Sequence, residues 1–108
     1  MNDNAEDFLK EAKDLIRKSK RRFLPREDYE QHLIDLGFGG GVKQGWRELL
    51  KVSAENMFKP PEPDRDRTGD TVWFFKRDYN GIMAYIKLKI DERGCVCVSF
   101  KPWMDNDN

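Results

Sequence analysis

The chain has little of several features that mark common classes of protein. It has one histidine and two cysteines, and its 20 basic side chains are balanced by 20 acidic ones. Two cysteines are half the set that a structural zinc site needs, and no cluster of carboxylates or histidines has ligand spacing. We therefore expect no metal and no cofactor. Because the formal net charge is zero, total charge gives no argument for nucleic acid or membrane, so the distribution of charge must decide.

Long apolar runs are also missing. No stretch approaches the ~18 apolar residues of a membrane helix, and residues 1–7 are acidic where a secretory signal is basic. We expect a cytoplasmic protein with no membrane partner. The length predicts a single domain spanning residues 1–108, with frayed tails at 1–4 and 104–108. Cys95 and Cys97 are interpreted as reduced, buried, small apolar residues.

The first half of the chain has the apolar spacing of helices. The pattern predicts a first helix over residues 4–16, a second near residues 25–36 that ends before Gly37, and a third over residues 42–50. Ser53 could cap one further turn. The segment 60–70 contains three prolines and six charged residues, which predicts a surface loop.

After this segment the apolar period changes from helical to alternating. Strands are predicted over residues 71–77, 82–90 and 95–101, and the turns between them contain Gly81 and Gly94, as in consecutive antiparallel hairpins. The predicted fold class is α+β, with the N-terminal helices packed on one face of a small, mainly antiparallel C-terminal sheet.

Strict alternation assigns a face to each strand residue. It places the second-strand isoleucines toward the helices, and it places Val96, Val98 and Phe100 of the third strand there as well. The opposite face then carries Tyr85, Lys87, Lys89 and Lys101. Lysines around a tyrosine suit a phosphate backbone, with the ring available for an unpaired base. The alternative is an ordinary solvated sheet face.

A series of short motifs runs through the second half, after a helix end Leu36-Gly37-Phe38. The motifs are Phe58-Lys59, Asp64-Arg65-Asp66-Arg67-Thr68-Gly69-Asp70, Val72-Trp73-Phe74-Phe75-Lys76, Asn80-Gly81, Tyr85-Ile86-Lys87-Leu88-Lys89-Ile90 and Val98-Ser99-Phe100. In order and spacing they resemble the MqsR family of toxins. The resemblance covers residues 8–103, and most of its specificity lies in residues 58–101.

The resemblance implies a RelE-like fold and a metal-independent endoribonuclease that cuts messenger RNA. It also implies a partner antitoxin, often one with a zinc-binding part and a helix-turn-helix. Family active-site positions fall on Lys59, Tyr85 and Lys101. Two departures are Thr71, where glutamine is expected, and Lys101, where many relatives have histidine.

The mechanism expected from these residues uses the 2′-hydroxyl of RNA as nucleophile. Lys59 and Lys101 would stabilise the phosphorane oxygens, and Tyr85 would act as general acid or base or orient the hydroxyl. His32 is interpreted as a structural or surface residue. The candidate RNA contacts are Arg65, Arg67, Lys76, Lys87 and Lys89. For Arg65 and Arg67, a local network with Asp64 and Asp66 is an equal alternative.

Two other functions remain open at this stage. One is a non-catalytic RNA-binding or protein-interaction module that uses the same basic face. The other is a family member that has lost activity through the change at Thr71. Among the tryptophans, Trp46 is interpreted as core, Trp73 as core or a stacking platform, and Trp103 as the cover of a sheet edge. None of the three is assigned to the site.

Overall fold

The architecture is α+β, as predicted, in a computed structural model that describes residues 3–25 and 28–104. Within this part of the chain, the three helices lie in the first half, and four of the five strands of one sheet lie in the second. The elements in order are α1 (Asp3–Arg17), β1 (Arg21–Phe23), α2 (Tyr29–Asp35), α3 (Gly41–Leu49), a 3-10 turn (Ala54–Asn56), β2 (Met57–Pro63), β3 (Thr71–Tyr79), β4 (Ile82–Asp91) and β5 (Gly94–Pro102).

The sheet has the order β1-β5-β4-β3-β2. Strands β2 to β5 pair antiparallel, and β1 pairs parallel with β5. The two predicted hairpins, β3–β4 and β4–β5, are confirmed. Asn80 and Gly81 turn the first hairpin with φ values of 56° and 93°, which suits a tight turn between twisted strands.

The helices cover one face of the sheet and form the core with it. Phe75, Ile86 and Phe100 on that face are at most 1% exposed and belong to one cluster with residues of all three helices. The predicted core position of Trp46 is confirmed at 4% exposure. Trp73 is also on this side, because its ring stacks on Phe8 at 4.8 Å between centroids. It therefore belongs to the core packing.

The prediction of which β5 residues face the helices is wrong for the first half of the strand. Lys87 pairs with Ser99 and Leu88 pairs with Cys97, so Val98 is an extra residue in the ladder, a β-bulge. The bulge shifts the alternation by one position. Cys95 and Cys97 consequently lie in the core cluster with Phe100, whereas Val96 lies on the opposite face and Val98 lines a groove there.

The predicted loop over residues 60–70 is wrong for its first four residues, which belong to β2. Proline is tolerated there because β2 is an edge strand, where a missing N–H removes no ladder bond on the open side. Residues 64–70 form the loop to β3.

The helix predictions are confirmed, with shifts at their ends. Helix α2 begins at Tyr29, later than predicted from Pro25, and residues 26–27 lie outside the described residues. Gly37 ends it with a φ of 92°, and Ser53 makes a capping box with Asn56. Helix α1 begins at Asp3, and the rest of the predicted tails, residues 1–2 and 105–108, lies outside the described residues. No helix of the described chain is long and apolar enough to cross a membrane.

Candidate nucleic-acid interface

A second β-bulge, in β2, places two consecutive side chains on the sheet face away from the helices. Met57 pairs with Phe75 and Lys59 pairs with Phe74, so Phe58 is the extra residue. Met57 packs on the core, while the Phe58 ring and the Lys59 ammonium both approach the Phe74 ring on the opposite face. Phe58 and Lys59 thus join the side chains that β3, β4 and β5 present there.

Four aromatic rings are in contact on this face. Phe58 lies 6.4 Å from Phe74, 5.8 Å from Tyr85 and 5.1 Å from Trp103, measured between ring centroids. Tyr85 and Trp103 are 5.6 Å apart. The cluster is continuous from the second strand to the end of the fifth.

Lysine ammonium groups surround these rings. Lys59 Nζ lies 4.1 Å from the Phe74 centroid, and Lys87 Nζ lies 5.8 Å from the centroids of Phe74 and Tyr85. Lys101 pairs with Tyr85 across the β4–β5 ladder, and its Nζ is 5.6 Å from the Tyr85 centroid. We call this surface the lysine–aromatic face; it comprises Phe58, Lys59, Phe74, Lys76, Tyr85, Lys87, Lys101 and Trp103.

A groove of about 550 Å³ opens on the same face. Lys59, Tyr85 and Lys87 line it from the sheet, and Arg65 lines it from the 64–70 loop. Tyr85 is 7% exposed as a residue, yet it belongs to the groove wall. Lys59 Nζ also contacts Glu62 Oε2 at 3.3 Å. Both partners are partly exposed, so this pair is weak, and a phosphate can replace the carboxylate.

Lys89 differs from the other lysines of β4. The residue is 5% exposed, and its Nζ donates to Asp64 Oδ2 at 2.6 Å and to Asp70 Oδ2 at 3.1 Å. Desolvation lowers the pKa of Lys89, but the two carboxylate bonds outweigh it and raise the pKa above its usual value. Lys89 therefore attaches both ends of the 64–70 loop to the sheet. Its ammonium is engaged by these carboxylates, although the residue also lines the groove.

Arg67 is held in a second ion-pair network. Its Nη2 donates to Glu92 Oε2 at 2.8 Å, and its Nε lies 3.7 Å from Asp70 Oδ2. These partners of Arg67 are acids other than the Asp64 and Asp66 expected from the sequence. Arg22 makes a bidentate contact with Asp91, at 2.6 and 3.3 Å. This hydrogen bond, more than any other contact, lowers the pKa of Asp91 to about 2.

Asp91→Asn is expected to lower the free energy of unfolding by about 1.5–3 kcal/mol at neutral pH, since it weakens charge-assisted hydrogen bonds to a fully buried carboxylate. The folded pKa lies below the unfolded value of ~3.9, so this contribution is complete above that value and is lost as pH falls toward 2. Urea unfolding at several pH values should therefore show a wild-type advantage that shrinks below pH ~4.

The matched control for this prediction is Asp14→Asn, because Asp14 makes an exposed pair with Lys18 in α1. Its effect on the urea midpoint is expected to be small at every pH. The prediction would be contradicted if wild type were more stable than Asp91→Asn by the same free energy of unfolding from neutral to acid pH.

The structure brings together most of the predicted site residues. Lys59, Tyr85 and Lys101 lie on one face of the sheet. Lys76 and Lys87 share that face, and Arg65 reaches the groove from the loop. The two remaining predicted RNA contacts, Arg67 and Lys89, are engaged in ion pairs.

Sequence reasoning did not assign Phe58, Phe74 or Trp103 to the site. Alternation within β3 was the available signal for Phe74, which follows Val72 and precedes Lys76 on one face. Phe58 joins the face only through the bulge, and Trp103 lies beyond the last strand. Neither placement follows from a regular two-residue period.

The other polar residues raised by the sequence lie elsewhere. His32 is a half-buried residue of α2, on the helical side of the sheet. Burial raises the pKa of the Cys95 thiol to about 12, and it raises the pKa of the Cys97 thiol well above its usual value. In residues 3–25 and 28–104, no three His, Cys, Asp or Glu side chains are grouped as metal ligands would be.

A second basic groove, of about 270 Å³, lies on the helical side. Arg17, Arg21, Lys43 and Arg47 line it together with Trp46, and the Arg21 guanidinium lies 5.5 Å from that indole. It is separated from the lysine–aromatic face by the sheet. It therefore provides matched cations, Lys43 and Arg47, for control variants.

The chain matches no protein-family model, and no curated protein is similar enough to count as a relative.

Proposed function

We propose that this protein is a metal-independent endoribonuclease that cuts messenger RNA on its lysine–aromatic face. The observation that carries the proposal is the interleaving of cations and rings on one sheet face, with Tyr85 between Lys87 and Lys101. Single-stranded nucleic acid is bound in this way, since phosphates attract the ammonium groups and unpaired bases stack on the rings. Because the formal net charge of the chain is zero, the concentration of lysines on this face is not a consequence of a generally basic composition.

The chemistry of RNA cleavage suits such a site. The ribose 2′-hydroxyl attacks the adjacent phosphorus, the bond to the 5′ oxygen of the next nucleotide breaks, and a 2′,3′-cyclic phosphate remains. One proton leaves the 2′-hydroxyl and one is delivered to the departing 5′ oxygen. The enzyme needs to align the attack and to stabilise negative charge on the phosphorane oxygens.

We assign these tasks to three residues of the face. Lys59 and Lys101 donate to the phosphorane oxygens as charge develops. Tyr85 donates its phenol proton to the departing 5′ oxygen or orients the attacking hydroxyl. A free phenol with a pKa of ~10 is a weak base, so the role of acid or orienting group is favoured. Lys87 holds the substrate backbone beside it.

The resemblance to MqsR toxins supports the biological setting of this proposal. It favours a fold related to the RelE-like toxins, cleavage of messenger RNA with arrest of translation and growth, and an antitoxin that blocks the site. Arg65, on the groove-lining loop, is a further RNA contact.

A cleavage assay tests the proposal. Purified protein is incubated with end-labelled single-stranded RNA in EDTA, and the product ends are identified by mass. The expected result is cutting within the RNA that leaves 2′,3′-cyclic phosphate and 5′-hydroxyl ends. The Lys59→Met variant is assayed in parallel and is expected to lose cleavage.

Two other results have defined meanings. Retention of RNA without cutting would contradict the nuclease and support the non-catalytic RNA-binding module. Cutting that needs a divalent ion, or that Lys59→Met performs as well as wild type, would contradict the proposed mechanism.

A further inference from the structure

One corner of the lysine–aromatic face extends beyond the groove. Just after β5, the Trp103 N–H donates to the Met83 carbonyl at 2.7 Å, which fixes the chain end against β4. The indole packs edge-on against Phe58 and Tyr85 at 5.1 and 5.6 Å. Lys76 Nζ lies 5.2 Å from the indole centroid. We call Phe58, Lys76, Met83 and Trp103 the aromatic corner.

The aromatic corner retains apolar surface that the fold does not cover. Phe58 and Trp103 are half-buried, and Met83, which alternates onto this face with Tyr85, is 38% exposed. A tryptophan that served only to close the sheet edge would gain by full burial, since each apolar Å² removed from water is favourable. Partly open rings beside an exposed methionine offer instead a flat apolar platform.

The charges around the platform fit a nucleotide. Lys76 is exposed and stands over the Trp103 and Phe58 rings, where it can reach a phosphate attached to a stacked base. On the same side, Asp78 accepts the Gly81 N–H at 2.6 Å and places a negative charge in the adjacent turn. That charge opposes continuation of a phosphate backbone past the turn. The corner therefore favours a base, with its phosphate toward Lys76 and Lys101.

We propose that the aromatic corner is a nucleobase subsite, in which Trp103 stacks on the unpaired base of a nucleotide next to the scissile phosphate. The subsite adjoins the proposed cleavage site because the Tyr85 ring contacts both Phe58 and Trp103 and also lies beside Lys101. The choice of RNA as ligand rests on the proposed function. Stacking on a π-face accepts any base, so the subsite supplies affinity and register more than base identity.

The test couples one base to one side chain. Fluorescein-labelled, single-stranded 2′-O-methyl oligoribonucleotides, which cannot be cut by 2′-hydroxyl attack, are made with an abasic nucleotide moved along the chain. Their Kd values are measured by anisotropy for wild type, Trp103→Leu and Trp103→Phe. Trp73→Phe is the matched control, because its ring stacks on Phe8 on the other side of the sheet.

The expected results are specific to position. For wild type, loss of one base weakens binding about tenfold at one position, in line with the stacking of a single base on an aromatic ring. Trp103→Leu weakens binding of the intact oligonucleotide by a similar factor, and then removal of that base costs nothing more. Trp103→Phe retains most of the affinity, and Trp73→Phe binds as wild type does.

Several results would overturn the subsite. They are unchanged binding by Trp103→Leu, additive losses at every abasic position, and no binding of the oligonucleotide by wild type. If Trp103→Leu fails to fold by thermal melting, Met83→Gln takes its place, since it makes an exposed apolar side chain polar without adding a charge and should give the same position-specific loss.

The outcome is separable from that of the proposed function. Coupling between Trp103 and one base in a protein that does not cut RNA would retain the subsite and reject the nuclease. Cleavage of RNA without such coupling would do the reverse.

Discussion

Replacing Tyr85 with phenylalanine is expected to lower the rate of RNA cleavage about 10²–10³-fold while the RNA is still bound. The ring is retained, so the contacts with Phe58 and Trp103 and the approach of Lys101 should persist. Only the hydroxyl is lost. An effect on kcat with little change in KM would show that this hydroxyl acts in the transition state.

Tyr79→Phe is the matched control for this substitution. Tyr79 lies on the helical side, where its hydroxyl donates to the Glu48 carbonyl at 2.9 Å, and burial raises its pKa far above the usual value. Its loss should cost about 1 kcal/mol of stability and leave cleavage unchanged. Equal cleavage rates for Tyr85→Phe and wild type would remove Tyr85 from the mechanism.

Replacing Lys89 with methionine is expected to lower the free energy of unfolding by about 3–5 kcal/mol, because it leaves two largely buried carboxylates without their shared cation. Urea unfolding followed by tryptophan fluorescence measures the change. The loss is a large part of the stability of a domain of this size. Adding Asp64→Asn and Asp70→Asn to the variant should recover part of it, since no unpaired charge then remains.

Lys87→Met is the comparison for Lys89→Met, as the two lysines are two residues apart on the same strand face. Lys87 is half-buried and lines the groove, so its loss should weaken RNA binding. The free energy of unfolding should fall by only about 0.5 kcal/mol or less. The opposite pattern, a stable Lys89→Met variant with weakened RNA binding, would return Lys89 to the RNA contacts predicted from the sequence.

Periodicity made most of the fold predictable. The helical spacing around Ile16 and Trp46 and the alternation in β4 each persist long enough to identify an element and its buried face. The short strand β1 has only three residues and no period of its own. It forms because its backbone pairs with β5, a contact between distant parts of the chain that a local pattern does not contain.

The site was predictable where the strands are regular. Tyr85, Lys87 and Lys101 were placed correctly on one face because the ladder between β4 and β5 is in register at that end. The bulges at Phe58 and Val98 could not be predicted, since an extra ladder residue leaves no mark on composition.

The environment of Lys89 was equally hidden from the sequence. Its partners Asp64 and Asp70 lie 25 and 19 residues away along the chain. Strand alternation predicted the direction of this side chain but not what covers it. Burial by a loop depends on the path of residues 64–70, which carries no regular pattern.

The central claim is that RNA is cut on the lysine–aromatic face. Its most direct test compares two double variants that remove the same charge from opposite sides of the sheet: Lys59→Met with Lys101→Met, and Lys43→Met with Arg47→Met in the helical-side groove. Initial rates of RNA cleavage are measured in EDTA. We predict that the first pair loses at least about 10²-fold in rate and that the second pair cuts as wild type does. Equal rates for the two pairs, or loss of cleavage only in the second, would contradict the claim.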